Sequence, residues 1–232
     1  MSYLVRVFRA TEDENRRRIL EALPARRGGS LLDVGASDGS WTVRVAEHLG
    51  AERVAALELL PEHAERARER GIEVTEADVE EGLPYADGEF DTVHANQVIE
   101  HLRGTDLFMR ELRRVLRPGG LAVISTNNLS SWHNVASLAL GMQPMPMHVS
   151  DEVILGNPLN PEQGAEHTDR GRVHLRLFTG RALAELAVHH GLSPLEVAAA
   201  GYYPLPPRPA RAAARLDPLH GAFLVGLFRR DG

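Results

Sequence analysis

The residues best placed to do chemistry sit in one short stretch near the start of the chain: Leu31-Leu32-Asp33-Val34-Gly35-Ala36-Ser37-Asp38-Gly39-Ser40. An apolar run ends at an acid, turns on two glycines and enters the amphipathic pattern Trp41 to Leu49. A strand, a glycine turn and a helix in this order are how α/β proteins build a cofactor pocket at the carboxyl end of the first strand. The glycine spacing and the acid decide which chemistry the turn serves.

Three chemistries use such a turn. Gly35, Ser37 and Gly39 spell the G-x-S-x-G elbow that would make Ser37 a hydrolase nucleophile. That elbow needs strands and an oxyanion-hole loop ahead of it, and too little chain precedes Gly35 to supply them. A dinucleotide fingerprint needs glycines at its first, third and sixth positions, where this chain has Gly35, Ser37 and Ser40. Asp33 would also set a carboxylate beside two phosphates. A cationic cofactor reverses that objection. S-adenosyl-L-methionine carries a sulfonium and an ammonium, which Asp33 attracts, while Gly35 and Gly39 let the backbone pass closely around its methionine part. Glu58 ends the next apolar run, where a carboxylate accepts ribose hydroxyls. Dinucleotide folds place an acid there too, so Glu58 alone does not discriminate.

The elements that must hold these residues follow from periodicity. Thr11 and Glu14 stand in capping-box spacing and Pro24 is a stop, predicting a helix over 11–23. Strands are expected at 30–34, 53–58, 72–75, 90–95 and 121–125, with helices at 40–49, 61–70 and 104–116 between them. Such alternation means a parallel sheet with helices on both faces. From Asn127 to Arg172 the pattern lapses into Trp132, Met142, Met145, Met147, Pro144 and Pro146, too long for an ordinary connection and therefore read as a lid. A helix at 180–190 follows, then strands near 194–202 and 222–228 separated by a Pro- and Arg-rich loop, 204–218. The expectation is one domain over 1–232: a Rossmann-like, doubly wound α/β fold of seven mostly parallel strands. Its cofactor-binding core covers about 28–126, the lid inserts over about 127–178, and an antiparallel strand pair closes the chain within 179–232.

Composition removes other functions. The 232 residues contain no cysteine, and all 26 basic residues are arginine. Disulfides, thiol nucleophiles, cysteine zinc sites, Schiff-base lysines and the P-loop lysine are therefore excluded. A net charge of −6 argues against a dedicated nucleic-acid binder. The arginines at 16–18 and at 208, 211 and 215 read as solvated helix faces. With no signal-peptide pattern and no long apolar run, a cytoplasmic enzyme-sized domain is expected, with no membrane insertion, as monomer or homodimer.

Taken in order, Leu32 to Gly39, Ala56-Leu57-Glu58, Ala77 to Tyr85, Phe90 to Leu102 and Leu112 to Gly120 resemble the class I S-adenosylmethionine-dependent methyltransferases, small-molecule type. The resemblance covers roughly 28–126 and is looser beyond. It implies a cofactor site of Asp33, Gly35, Ala36, Ser37, Gly39, Glu58, Leu59, Asp78, Val79, Asn96 and Gln97. Asp78 would accept from the adenine amino group, Val79 would donate its amide to the ring, and Asn96 and Gln97 would line the methionine end. Ser37 replaces the family's usual middle glycine, which matters only if the backbone there needs a positive φ. Asp91, which leads into a strand, reads as structural.

Methyl transfer is an in-line displacement in which the protein chiefly aligns the reactants, and a hydroxyl acceptor gains from a general base. His101, about a turn past the fourth strand, is the first candidate, with His133, His148, His167 and His174 in or beside the lid. Asp151, Glu166, His167 and Asp169 offer ligand types without a recognised spacing, so no metal is expected. The lid methionines and Trp132 suggest a small-molecule acceptor with an apolar face, or simply pack the lid. A non-catalytic cofactor-binding module and a protein or RNA methyltransferase are the alternatives.

Overall fold

The computed structural model describes residues 3–167 and 173–232, so Asp169 lies outside the described residues. The elements run α1 (Tyr3–Ala22), β1 (Ser30–Val34), α2 (Ser40–Leu49), β2 (Arg53–Glu58), α3 (Pro61–Arg68), β3 (Glu73–Glu76), β4 (Phe90–Asn96), α4 (Thr105–Val115), β5 (Leu116–Asn127), α5 (Trp132–Ala139), α6 (Gly180–His189), β6 (Leu192–Ala200), α7 (Pro207–Leu216) and β7 (Phe223–Arg230). Seven strands form one sheet in the order β3-β2-β1-β4-β5-β7-β6. The first five pair in parallel. β7 inserts antiparallel between β5 and β6, which gives the expected antiparallel pair at the carboxyl end.

Strand alternation divides the core between two helical layers. Leu32 and Val34 of β1, with Ala122 and Ile124 of β5, pack against Phe108, Met109 and Leu112 of α4 and Leu183 of α6. Leu31, Leu121 and Val123 face the other way, onto Ile19 of α1 and Val45 and Leu49 of α2. Because successive strand residues point to opposite faces, Asp33 lies on the α1/α2 side with Leu31. The chain turns from β1 towards β2 on one side and meets β4 on the other. This switch point leaves a crevice at the carboxyl ends of the parallel strands.

Two expectations are corrected. α1 begins at Tyr3, not at Thr11. Val7, Thr11, Asn15 and Ile19 form a buried stripe at four-residue spacing, and the Thr11 hydroxyl donates one turn back to the Val7 carbonyl (2.8 Å). Thr11 therefore sits mid-helix, and Glu14 ties to Arg17 and Arg211 in place of closing a capping box. The 204–218 segment contains a helix, α7. Its alanines and arginines are good helix formers, and Arg211 fastens it to Glu14 of α1 (2.6 Å). Among the described residues of 127–178, Trp132–Ala139 likewise forms a helix, α5. No helix among the described residues is long and apolar enough to cross a membrane.

Candidate active site

The glycine turn after β1 is held by acids on both sides. Gly35, Ser37 and Gly39 have φ of 77°, 50° and 75°, so the position of Ser37 does need the left-handed conformation, at a cost glycine would avoid. What holds serine there is Glu58: its Oε2 accepts the Ser37 amide (2.7 Å) and its Oε1 the Leu60 amide (3.0 Å). A carboxylate has lone pairs for more than one donor per oxygen, so Glu58 is oriented by the chain and keeps capacity for ligand hydroxyls. A Cβ on Gly39 would stand 2.7 Å from Ile72 and 2.9 Å from Ala67, so this glycine also allows α2 to approach α3. Asp38, which the sequence reading passed over, accepts from the Ser40 amide and hydroxyl and from Arg70. The Ser40 hydroxyl and amide and Arg70 outweigh burial and bring its pKa down to about 2.

Asp33 is where the structure departs most from the expected direct attraction of a cation. Its side chain is almost wholly buried and turned under α2. Oδ2 accepts from the Thr42 hydroxyl, and Oδ1 from His94 Nδ1 on β4 (2.6 Å). Trp41 Nε1 donates to the other nitrogen of His94 (3.2 Å), which fixes the His94 tautomer. Asp33 thus locks β1, β4 and α2 behind the turn. His94 carries no motif; its only signal in the sequence is a titratable residue inside an apolar strand. Asp91, as expected, is structural: it receives the Ser30 amide and hydroxyl (2.8 and 2.9 Å) at the opposite end of the strands and pairs with Arg117.

Asp78 caps the short 3₁₀ turn 79–81 by accepting the Glu80 amide (2.9 Å), and Val79 begins that turn. Leu59 is 52% exposed beside Glu58. Asn96 and Gln97 end β4. Asn96 accepts from Asn15 of α1 (3.0 Å), and Gln97, at φ 58°, reaches Ser125 (3.3 Å). All the expected cofactor residues therefore lie on one edge of the sheet, although Asp33 supports the turn from behind.

Beyond β4 the turn Ile99–His101 buries Glu100 completely. Its carboxylate accepts from the Thr126 hydroxyl (2.9 Å) and the Asn127 amide (3.2 Å), yet burial raises its pKa to about 7. The sequence reading did not single out Glu100; a buried acid directly before His101 has no periodic signature.

The histidines converge. His101, His133, His148, His167 and His174 all line one cavity of about 530 Å³, with Phe8, Met145, Ile154, Tyr203, Phe223 and Asn127 among its walls. Burial lowers the His133 pKa to about 4; burial, then His167 and His101, lower that of His148 to about 4. Burial and neighbouring imidazoles outweigh the Pro146 carbonyl and take His174 to about 3. These rings are neutral near pH 7. Glu166 also reaches the cavity, whereas Asp151 is exposed away from it. Asp151 and Glu166 thus do not come together at the cavity. Trp132 corrects another expectation: it is 53% exposed, turned out of the lid, with Nε1 donating to Asp217 (2.8 Å). Of the three lid methionines, Met145 alone is a cavity wall.

Comparison with known proteins gives a consistent relationship. The family model described as a methyltransferase domain matches residues 32–124. The 27-O-demethylrifamycin SV methyltransferase of Amycolatopsis mediterranei is 33% identical over 113 residues, which are 44% of this chain and 40% of that protein. Demethylmenaquinone methyltransferase of Listeria monocytogenes is 30% identical over 133 residues, 52% of this chain and 55% of that protein. The chain therefore spans less than two thirds of either relative. A SAM-dependent methyltransferase structure from Thermotoga maritima shares the fold, with a TM-score of 0.66 at 18% identity over 97% of this chain and 92% of that one.

Proposed function

Since the chain belongs to the class I S-adenosylmethionine-dependent methyltransferases, we propose that it methylates an oxygen or nitrogen of a small molecule bound in the histidine-lined cavity. One observation carries this reading. The side chain of Asn127, a wall of the cavity, lies 3.1 Å from that of Gln97 just past β4, so the cavity and the proposed cofactor site share a wall. The cofactor, when bound, supplies a methyl group already activated by a sulfonium leaving group.

The chain's own part is to bind and align. Glu58, held by two backbone amides, accepts the ribose hydroxyls, and Leu59 offers the adenine an apolar surface. Asp78 and the Val79 amide read the adenine edge. Gly35, Ala36, Ser37 and Gly39 keep the backbone close to the methionine part, and Asn96 and Gln97 line its end. Alignment of this kind supplies about 7–11 kcal/mol of a barrier. His101 serves the acceptor's deprotonation from the cavity wall. The mixture of Phe8, Met145, Ile154 and Phe223 with neutral imidazoles suits an acceptor with an apolar face and a few hydroxyl or amine groups. Two relatives carry names of small-molecule methylation, the 27-O-demethylrifamycin SV methyltransferase and the demethylmenaquinone methyltransferase.

The test is release of S-adenosylhomocysteine from S-adenosylmethionine in the presence of a panel of hydroxylated and aminated aromatic compounds, with methylated product identified by mass spectrometry. Methylation of at least one small molecule is expected. Methylation only of protein or RNA, or no binding of the cofactor at millimolar concentration, overturns the reading.

A further inference from the structure

Glu100, His101 and His174 each offer one ligand atom, and these three atoms lie within 4.8 Å of one another. Chain connectivity alone does not bring them together, because His174 comes from the far end of the lid. Backbone bonds fix the approach: the amides of Leu175 and Arg176 both donate to the Glu100 carbonyl, at 2.8 and 3.2 Å. The segment carrying His174 is thus clamped to the turn carrying Glu100 and His101.

Proton placement is the second observation. His101 Nδ1 lies 3.2 Å from the Val173 carbonyl, and His174 Nδ1 lies 2.6 Å from the Pro146 carbonyl. A carbonyl only accepts, so each Nδ1 donates to its carbonyl, and Nε2 is the ring nitrogen a metal ion would take. A backbone carbonyl at the second ring nitrogen is the arrangement that orients metal-bound histidines, and carboxylate ligands are oriented by hydrogen bonds in the same way. Thr126 and Asn127 supply those bonds to Glu100. A third observation comes from the neighbouring wall. His148 stacks on His174 (ring centroids 5.1 Å) and lies 4.5 Å from the His167 ring, whose buried Nε2 has no hydrogen-bond partner among the described residues.

We propose that Glu100, His101 and His174 bind a divalent transition-metal ion, zinc in class, on the inner wall of the acceptor cavity. The proposal rests on the methyl-transfer reading and departs from the expectation of no metal. Two histidines and a carboxylate are the protein share of many catalytic zinc sites, the fourth position being taken by water or substrate, and imidazole suits zinc, iron, copper and nickel alike. An acceptor hydroxyl bound to such an ion loses its proton more readily, as metal-bound water does. The oxygen then forms its bond to the methyl carbon, the carbon–sulfur bond breaks with its electron pair returning to sulfur, and the hydroxyl proton leaves to water. His101 acts on the acceptor through the ion.

The experiment uses the full chain, freed of metal with a chelator and dialysed against Zn²⁺ alone, with bound metal counted by mass spectrometry. Co²⁺ in place of Zn²⁺ reports the coordination through its visible absorption. One retained ion per chain is expected, with affinity falling at least about tenfold in His101→Gln and in His174→Gln, the scale of losing part of a ligand shell. His190→Gln is the control. It alters the separate Asp106, His189 and His190 group, where His190 already pairs with Asp106 (2.8 Å), and should leave zinc retention unchanged. S-adenosylhomocysteine affinity, measured on the same samples, verifies folding; the two histidines lie on separate segments, so either folded variant decides. Wild-type protein that binds S-adenosylhomocysteine but retains no zinc overturns the metal site alone. Variants that bind zinc like the wild type overturn it as well, and failure of the wild type to bind S-adenosylhomocysteine overturns the methyltransferase reading instead.

Discussion

The strand ends that carry the proposed cofactor residues and the histidine-lined cavity proposed for the acceptor are built on different principles. At the strand ends, the acids are tied to the chain's own donors: Glu58 holds two amides, Asp38 holds Ser40 and Arg70, and Asp33 holds Thr42 and His94. In the cavity, half-buried imidazoles stand among apolar side chains, and loss of solvent keeps His133, His148 and His174 neutral near pH 7. A hydrogen-bonded frame fixes geometry for one ligand, whereas an apolar wall with neutral donors and acceptors leaves specificity to shape and to a few polar groups. The first suits a cofactor shared by a whole family, and the second suits an acceptor that differs among its members.

The largest test of the rigid edge is Gly39→Val. Its φ of 75° and the close approach of Ile72 and Ala67 make strain and overpacking add, each about 1–3 kcal/mol. Urea denaturation should show a loss of several kcal/mol, together with loss of S-adenosylhomocysteine binding. An unchanged midpoint would mean that the α2–α3 approach is loose. Next in size, Glu58→Ala should weaken S-adenosylhomocysteine binding by roughly 1.5–3 kcal/mol, the worth of hydrogen bonds to a charged group, as read by calorimetry. If affinity holds, Glu58 supports the turn and does not touch the ligand.

Asp91→Ala probes the opposite end of the strands, where stability and binding should separate. Burial pushes the Asp91 carboxyl up, but the Ser30 amide and hydroxyl and Arg117 more than compensate and hold it below its ordinary value. A folded-state pKa below the unfolded one means the contribution is fully present above about pH 4 and disappears as pH falls through the folded pKa. Denaturation of the variant should show about 1–2 kcal/mol less stability near pH 7, a shallower acid limb and unaltered cofactor affinity. A parallel acid limb would remove Asp91 from the acid response. The smallest effect is expected of Ser37→Gly. Relief of the left-handed conformation offsets the extra entropy of glycine to within about 1 kcal/mol, and a large gain in thermal stability would show that Glu58 holds Ser37 under real strain.

Legibility in the sequence followed the range of the interactions. β1, the turn and α2 were readable because period, glycine and capping chemistry are local. The antiparallel β6/β7 pair was readable because two strand patterns follow one another without a full crossover. α7 was missed because prolines and arginines masked a helix that docks through Arg211 on a distant Glu14. The start of α1 was misplaced because Thr11 looks like a cap, and only the buried stripe from Val7 to Ile19 reveals it as an interior residue. Glu100 had no periodic signature and His94 only that of a titratable residue in an apolar strand, since burial of such a side chain depends on what packs over it.

The sequence by itself determined the doubly wound sheet, the left-handed turn at Gly35 to Gly39 and the acids that follow the strands, because strand period, glycine φ and strand-end position are properties of neighbouring residues. Tertiary structure decided the rest. The pleat turned Asp33 inward beneath Thr42, and the clamp between Glu100 and the amides of Leu175 and Arg176 brought His174 to His101. Folding of the segment after β5 gathered five histidines from positions 101 to 174 around one cavity. No local pattern encodes these meetings, since each depends on segments far apart in the chain packing against one another.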